Sequence, residues 1–61
     1  MGQRLRELRM HRGLQQGEVA RQLEISPAYL SLIEKGKRAV QLPLLFRALD
    51  LYGVDMESFM A

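Results

Sequence analysis

Residues 16–34, QGEVARQLEISPAYLSLIE, decide how this chain folds. Val19, Ala20 and Leu23 stand at i, i+1 and i+4, which puts apolar side chains on one face of a short helix over about Gln16–Leu23. A break of three residues follows, Glu24, Ile25 and Ser26. Ser26 and Pro27 then suit the N-cap and first helical position of a second helix. The hydroxyl can accept an open backbone amide, and proline has no N–H to leave open. Leu30 and Ile33, at i and i+3, give that helix an inward stripe over about Pro27–Glu34, and Gly36 closes it. Ala20 is small where the two helices would cross, and Ile25 is apolar inside the turn, where it can plug the angle between them.

Two short helices joined by a three- to four-residue turn have the geometry of a helix-turn-helix unit. The flanking segments read the same way. Gln3 to Arg12 makes a helix with Leu5 and Leu8 facing inward, Gly13 ends it in a left-handed conformation, and Leu14 covers the joint. Gly36 to Gln41 is a basic loop. A further helix starts at Leu42 or Pro43 and runs to Tyr52, with Gly53 closing it, and Asp55 caps a last turn over Met56–Met60. No strand-like alternation, repeat, low-complexity segment or linker interrupts the pattern. The expected architecture is one all-α domain over residues 1–61, a compact five-helix bundle with the helix-turn-helix unit at about 16–34.

Composition removes several function classes. Without cysteine there is no disulfide framework and no thiolate metal site. No apolar run approaches the ~20 residues of a membrane span, and MGQRLRELRMHRG has no apolar core of a secretory signal, so a cytoplasmic protein with no membrane partner is expected. His11 is the only histidine, on a basic helix face, and no carboxylate pair or Ser/Lys arrangement has a base within reach. No enzyme activity, metal or cofactor is expected. Charge is uneven: residues 1–38 hold eight Lys and Arg against four acids, +4, whereas residues 39–61 hold Arg47 against three acids, −2. A basic front suits a polyanion, although an uneven solvated surface gives the same totals.

The stretches RLRELRMHRGLQQGEVARQL, ISPAYLSLIEKGKR and LLFRALDLYGVD resemble, without a gap, successive segments of the phage-repressor/Cro-like helix-turn-helix DNA-binding family. The resemblance covers essentially the whole chain. It implies a five-helix bundle of the lambda-repressor-like type that binds double-stranded DNA as a homodimer on palindromic half-sites and regulates transcription, here as a repressor. It places Gln16 on a phosphate and pairs Arg9 with Glu34 in an internal salt bridge; by residue type alone both charges could equally be solvated. Two positions depart from the family pattern. Glu24 stands in the turn where glycine is usual, and Gln15 stands at an N-cap more often held by Ser or Thr.

The resemblance also assigns the contacts. Base-facing positions are Pro27, Ala28 and Leu32, with Ser31 alongside, where other members often carry Gln, Asn or Arg. With no long amide or guanidinium there, recognition falls to thymine methyls against Ala28 and Leu32, to the Ser31 and Tyr29 hydroxyls, or to backbone contacts and DNA shape. The half-sites are expected to be rich in A·T. Lys35, Lys37 and Arg38 are phosphate contacts, with a narrow minor groove as an alternative for Arg38. Gln15 adjoins the open N–H groups of the second helix and joins that set. Tyr29 joins the phosphate contacts through its hydroxyl, which can reach out even where its ring packs inward. Leu42, Leu44, Leu45, Phe46, Leu49, Leu51, Tyr52, Val54, Met56, Phe59 and Met60 supply more apolar surface than one bundle face can bury. This suggests a two-fold interface with Leu44, Phe46, Leu51, Val54, Met56, Phe59 and Met60 in it, unless the fourth helix is simply central. A rival reading is a protein-interaction module, such as an antitoxin, or a DNA-binding piece of a longer regulator.

Overall fold

The computed structural model describes residues 1–61 and contains five helices and no strand: α1 (Gly2–His11), α2 (Gln16–Leu23), α3 (Pro27–Glu34), α4 (Leu42–Tyr52) and α5 (Met56–Met60). The all-α bundle expected from the sequence is the fold. Bounds of α2, α3 and α5 coincide with the expected ones, while α1 lies one residue earlier than Gln3–Arg12.

Local chemistry accounts for the helix ends. The Tyr29 N–H donates to Ser26 Oγ at 3.0 Å, and the Ser58 N–H donates to Asp55 Oδ1 at 2.7 Å. That second bond favours the charged carboxylate and holds the Asp55 carboxyl below its ordinary pKa. At the end of α2, Glu24 is left-handed (φ 62°, ψ 38°), and the Ile25 N–H reaches back to the Ala20 carbonyl at 2.9 Å. The other left-handed residues, Gly13, Gly36 and Gly53, are all glycines, so Glu24 alone holds this conformation against the clash of its own Cβ.

Eleven apolar side chains form the core: Leu5 from α1, Val19, Ala20 and Leu23 from α2, Leu30 and Ile33 from α3, Leu45, Ala48, Leu49 and Tyr52 from α4, and Phe59 from α5. Helix α3 packs on both α1 and α2, and α4 closes against α1 and α2. The start of α1 lies directly over the end of α3: a Cβ on Gly2 would fall 1.9 Å from the Ile33 carbonyl oxygen, so only glycine permits this approach. Arg12 ties the far ends together, donating from Nη1 to the Leu8 carbonyl and from Nε to the Tyr52 carbonyl at the end of α4. The result is a bundle with α3 held on two sides and one face left open.

Candidate nucleic-acid interface

The orientation of α3 is set by a buried polar cluster. Arg9 donates from Nε to Glu34 Oε2 at 2.8 Å and from Nη2 to Glu34 Oε1 at 3.0 Å, a forked pairing that matches guanidinium to carboxylate. Their side chains are 12% and 2% exposed, so the pair is internal and the solvated alternative does not hold. Arg9 Nη1 also donates to the Leu14 carbonyl at 2.9 Å. Hydrogen bonding to Glu34 is the main reason the Arg9 guanidinium is pushed above its ordinary pKa. Gln16 Nε2 donates to Glu34 Oε1 at 3.1 Å, which brings the start of α2 into the same cluster.

With Leu30, Ile33 and Glu34 turned inward, Ala28 and Leu32 fall on the opposite face at i, i+4 spacing, with Ser31 beside them and Pro27 at the exposed first turn. Pro27 and Ala28 are exposed, and Ser31 and Leu32 are half-buried. The internal pairing of Glu34 also matters electrostatically, because the only acid of α3 is neutralised inside the bundle rather than displayed beside this face. Tyr29 is half-buried and packs against the core, beside a groove that Gln41 and Arg47 also line.

Lys35, Lys37 and Arg38 follow α3 directly and are all exposed. The two ion pairs of the molecule are Arg9–Glu34 and Arg47–Glu24, so none of these three cations has a carboxylate partner. The Lys37 N–H donates to the Leu32 carbonyl at 2.9 Å, and this bond holds the loop against the end of α3. A cleft of about 380 Å³ opens between the loop and the start of α1, lined by Met1, Gly2, Ile33 and residues 36–40. Gln15 occupies the N-cap of α2 without a side-chain cap bond, leaving the first N–H groups of α2 open. Gln15 itself is exposed. The Gln16 amide gives one hydrogen to Glu34 and keeps the other for an outside acceptor.

The apolar back requires a correction. Phe59, expected at an intermolecular surface, is 5% exposed and part of the molecule's own core, because α5 folds back across the bundle. Leu44, Leu51, Val54 and Met56 are half-buried and pack against that core. Phe46 and Met60 remain open, at 54% and 64% exposure. Leu42 is 62% exposed and stands one turn before Phe46 on α4. No group of three His, Cys, Asp or Glu side chains lies close enough to hold a metal ion, and no helix is long and apolar enough to cross a membrane.

Comparison with known proteins fits this geometry. A family described as a helix-turn-helix domain matches residues 1–58. The HTH-type transcriptional regulator RamB of Mycobacterium tuberculosis (strain H37Rv) is 42% identical over 59 residues, 97% of this chain and 12% of that protein. The HTH-type transcriptional regulator PrpR of the same strain is 33% identical over 58 residues, 95% of this chain and 12% of that protein. The chain thus spans only 12% of the length of these relatives. No solved structure matches it.

Proposed function

The chain belongs to the helix-turn-helix domain family, and from that premise we propose that it binds double-stranded DNA as a transcriptional repressor. Helix α3 enters the major groove, and the loop at Lys35, Lys37 and Arg38 lies on the sugar–phosphate backbone. The observation that carries this reading is the arrangement of charge. Three exposed cations without carboxylate partners follow α3 directly, and the only acid within α3 is buried and neutralised. Such cations displace counterions condensed on DNA, a sequence-independent source of affinity. The open N–H groups of α2, with Gln15 beside them, suit a phosphate on the other side of the groove. The remaining amide hydrogen of Gln16 and the Tyr29 hydroxyl are secondary phosphate contacts. The names of RamB and PrpR as transcriptional regulators point the same way. The ungapped five-helix order favours the phage-repressor/Cro-like branch, and a 12% share of the relatives suits the DNA-binding unit of a longer regulator.

Binding as a homodimer is part of this proposal. The molecule measures 28 Å along its longest axis, whereas half-sites on one face of DNA are ~34 Å apart. A palindromic site therefore needs two copies, and Phe46 and Met60, with Leu42, are the open apolar side chains that a second copy would cover. Repression then needs only occupancy of a promoter.

Titration of mixed-sequence duplex DNA at several salt concentrations tests the proposal. Affinity falls steeply as salt rises, and Lys37→Ala lowers the slope of log affinity against log salt by about 1. Absence of binding at low salt would refute DNA binding. It would also promote the protein-partner reading, which the exposure of Leu42 and Phe46 favours.

A further inference from the structure

We infer that α3 reads thymine through its 5-methyl group, with Ala28 and Leu32 as the specificity-determining side chains. This rests on the DNA-binding reading above and narrows it to a mode of recognition. Hydrogen-bonded readout of a base edge needs a donor or acceptor that is exposed on α3 and not already engaged. The structure leaves very few. Ser26 Oγ, at the N-cap, accepts the Tyr29 N–H and keeps only its own hydroxyl proton to donate. The Gln16 amide gives one of its two hydrogens to Glu34, Glu34 is buried beside Arg9, and the Tyr29 ring packs against the core. On the open face itself stand Pro27, Ala28, Ser31 and Leu32, of which only Ser31 has a polar side chain. Lys35 follows at the C-cap, past the end of that face.

In the major groove, the one base feature that apolar carbon can recognise is the thymine methyl. Ala28 and Leu32, at i and i+4, form a short apolar stripe of the right kind. The cationic loop follows α3 directly, and its contacts with the backbone would hold the stripe in the groove. Cytosine and adenine present exocyclic amines at the groove edge, and this face has no acceptor for them beyond the Ser31 hydroxyl. Discrimination would thus come from methyl burial and from leaving those amines unpaired.

The test uses a duplex selected by this chain from a random pool, remade with uracil replacing thymine one position at a time. Uracil keeps every Watson–Crick and groove-edge hydrogen-bonding group and removes only the methyl. At a contacted thymine, affinity should fall about fourfold, the worth of one buried CH₂, and about fifteenfold when both half-sites are changed. Substitution outside the reach of α3 should change nothing. Ala28→Gly and Leu32→Ala should each weaken binding to the thymine duplex while losing little or nothing further on the uracil duplex, since the contact is already gone. Equal affinity for the thymine and uracil duplexes would overturn the inference and leave DNA binding intact. So would variants that weaken both duplexes by the same factor. The uracil arm leaves the protein unaltered, so it decides the question even where a Leu32 variant folds poorly. Failure of the chain to retain any duplex from the pool would remove the DNA-binding reading and this inference with it.

Discussion

Replacing Arg9 with methionine would leave the Glu34 carboxylate buried, 3% exposed, with the Gln16 amide as its remaining partner. Breaking a buried pair by removing one member costs about 3–5 kcal/mol, because the charge left behind has lost both water and its counterion. The Leu14 carbonyl loses its donor as well, adding about 1 kcal/mol. Against this, a domain of this length is stable by only about 3–9 kcal/mol, at about 0.05–0.15 kcal/mol per residue. Arg9→Met should therefore be largely unfolded if the protein lies at the low end of that range, and severely weakened at the high end. Urea denaturation followed by far-ultraviolet circular dichroism gives the measurement. With a slope of about 1 kcal/mol per molar urea, the midpoint should drop by about 3 M or more. The informative partner is Arg9→Met combined with Glu34→Leu, which removes both charges and refills the site with apolar volume. Apolar replacement of a whole buried pair is often neutral or better, so the double variant should recover at least about 2 kcal/mol of what the single variant lost. The reasoning fails if Arg9→Met costs less than about 1 kcal/mol, the range of an exposed pair. It fails equally if the double variant is no more stable than the single one.

Three further outcomes are expected. Gly17 lies inside α2, and a methyl group placed on its Cα would have nothing within 4 Å, so Gly17→Ala should stabilise by about 1 kcal/mol and raise Tm by about 4–8 °C; an unchanged melting curve would contradict this. Glu24→Gly should relieve about 1–2 kcal/mol of left-handed strain at the α2–α3 turn while giving up an exposed pair with Arg47 worth about 0–1 kcal/mol, for a small net gain in urea midpoint. A clear loss of stability there would mean that the Arg47 contact outweighs the strain. Burial is the first cause that pushes the Tyr52 phenol up from 10.0 to about 12, with the Glu34 charge second. Because the folded state favours the protonated phenol, its contribution to stability is complete below about pH 10 and is lost as pH rises through about 12. Ultraviolet titration in a Tyr29→Phe background should place the Tyr52 transition near 12, and ionisation near 10 with the helices intact would refute it.

Residues engaged in short-range bonding were legible in the chain. Ser26 and Asp55 bond to N–H groups three residues on, Gly13 and Gly53 close α1 and α4, and Pro27 opens α3, so each boundary carried its own signal. Helix α1 was misplaced by one residue because its start has no such signal: Met1 makes no side-chain cap bond, and Gly2 is tolerated there by its contact with Ile33, 31 positions away in sequence. The i, i+3 and i+4 spacing also separated the two faces of α3, so Leu30 and Ile33 inside and Ala28 outside follow from periodicity alone.

What only the tertiary structure decided is how the helices are rotated against one another. Phe46 and Phe59 are both aromatic residues on apolar helices, yet one is 54% exposed and the other 5%, because burial depends on which face the neighbouring helices cover. The same rotation determines that Gln16 reaches Glu34, 18 positions on, and that Arg9 reaches it across 25. A side-chain hydrogen bond between distant segments leaves no periodic trace in the chain. The sequence by itself determined an all-α helix-turn-helix bundle with a basic loop after its second unit. The packed bundle determined which polar groups are engaged inside it, and hence how little besides methyl-sized apolar surface α3 has left to show.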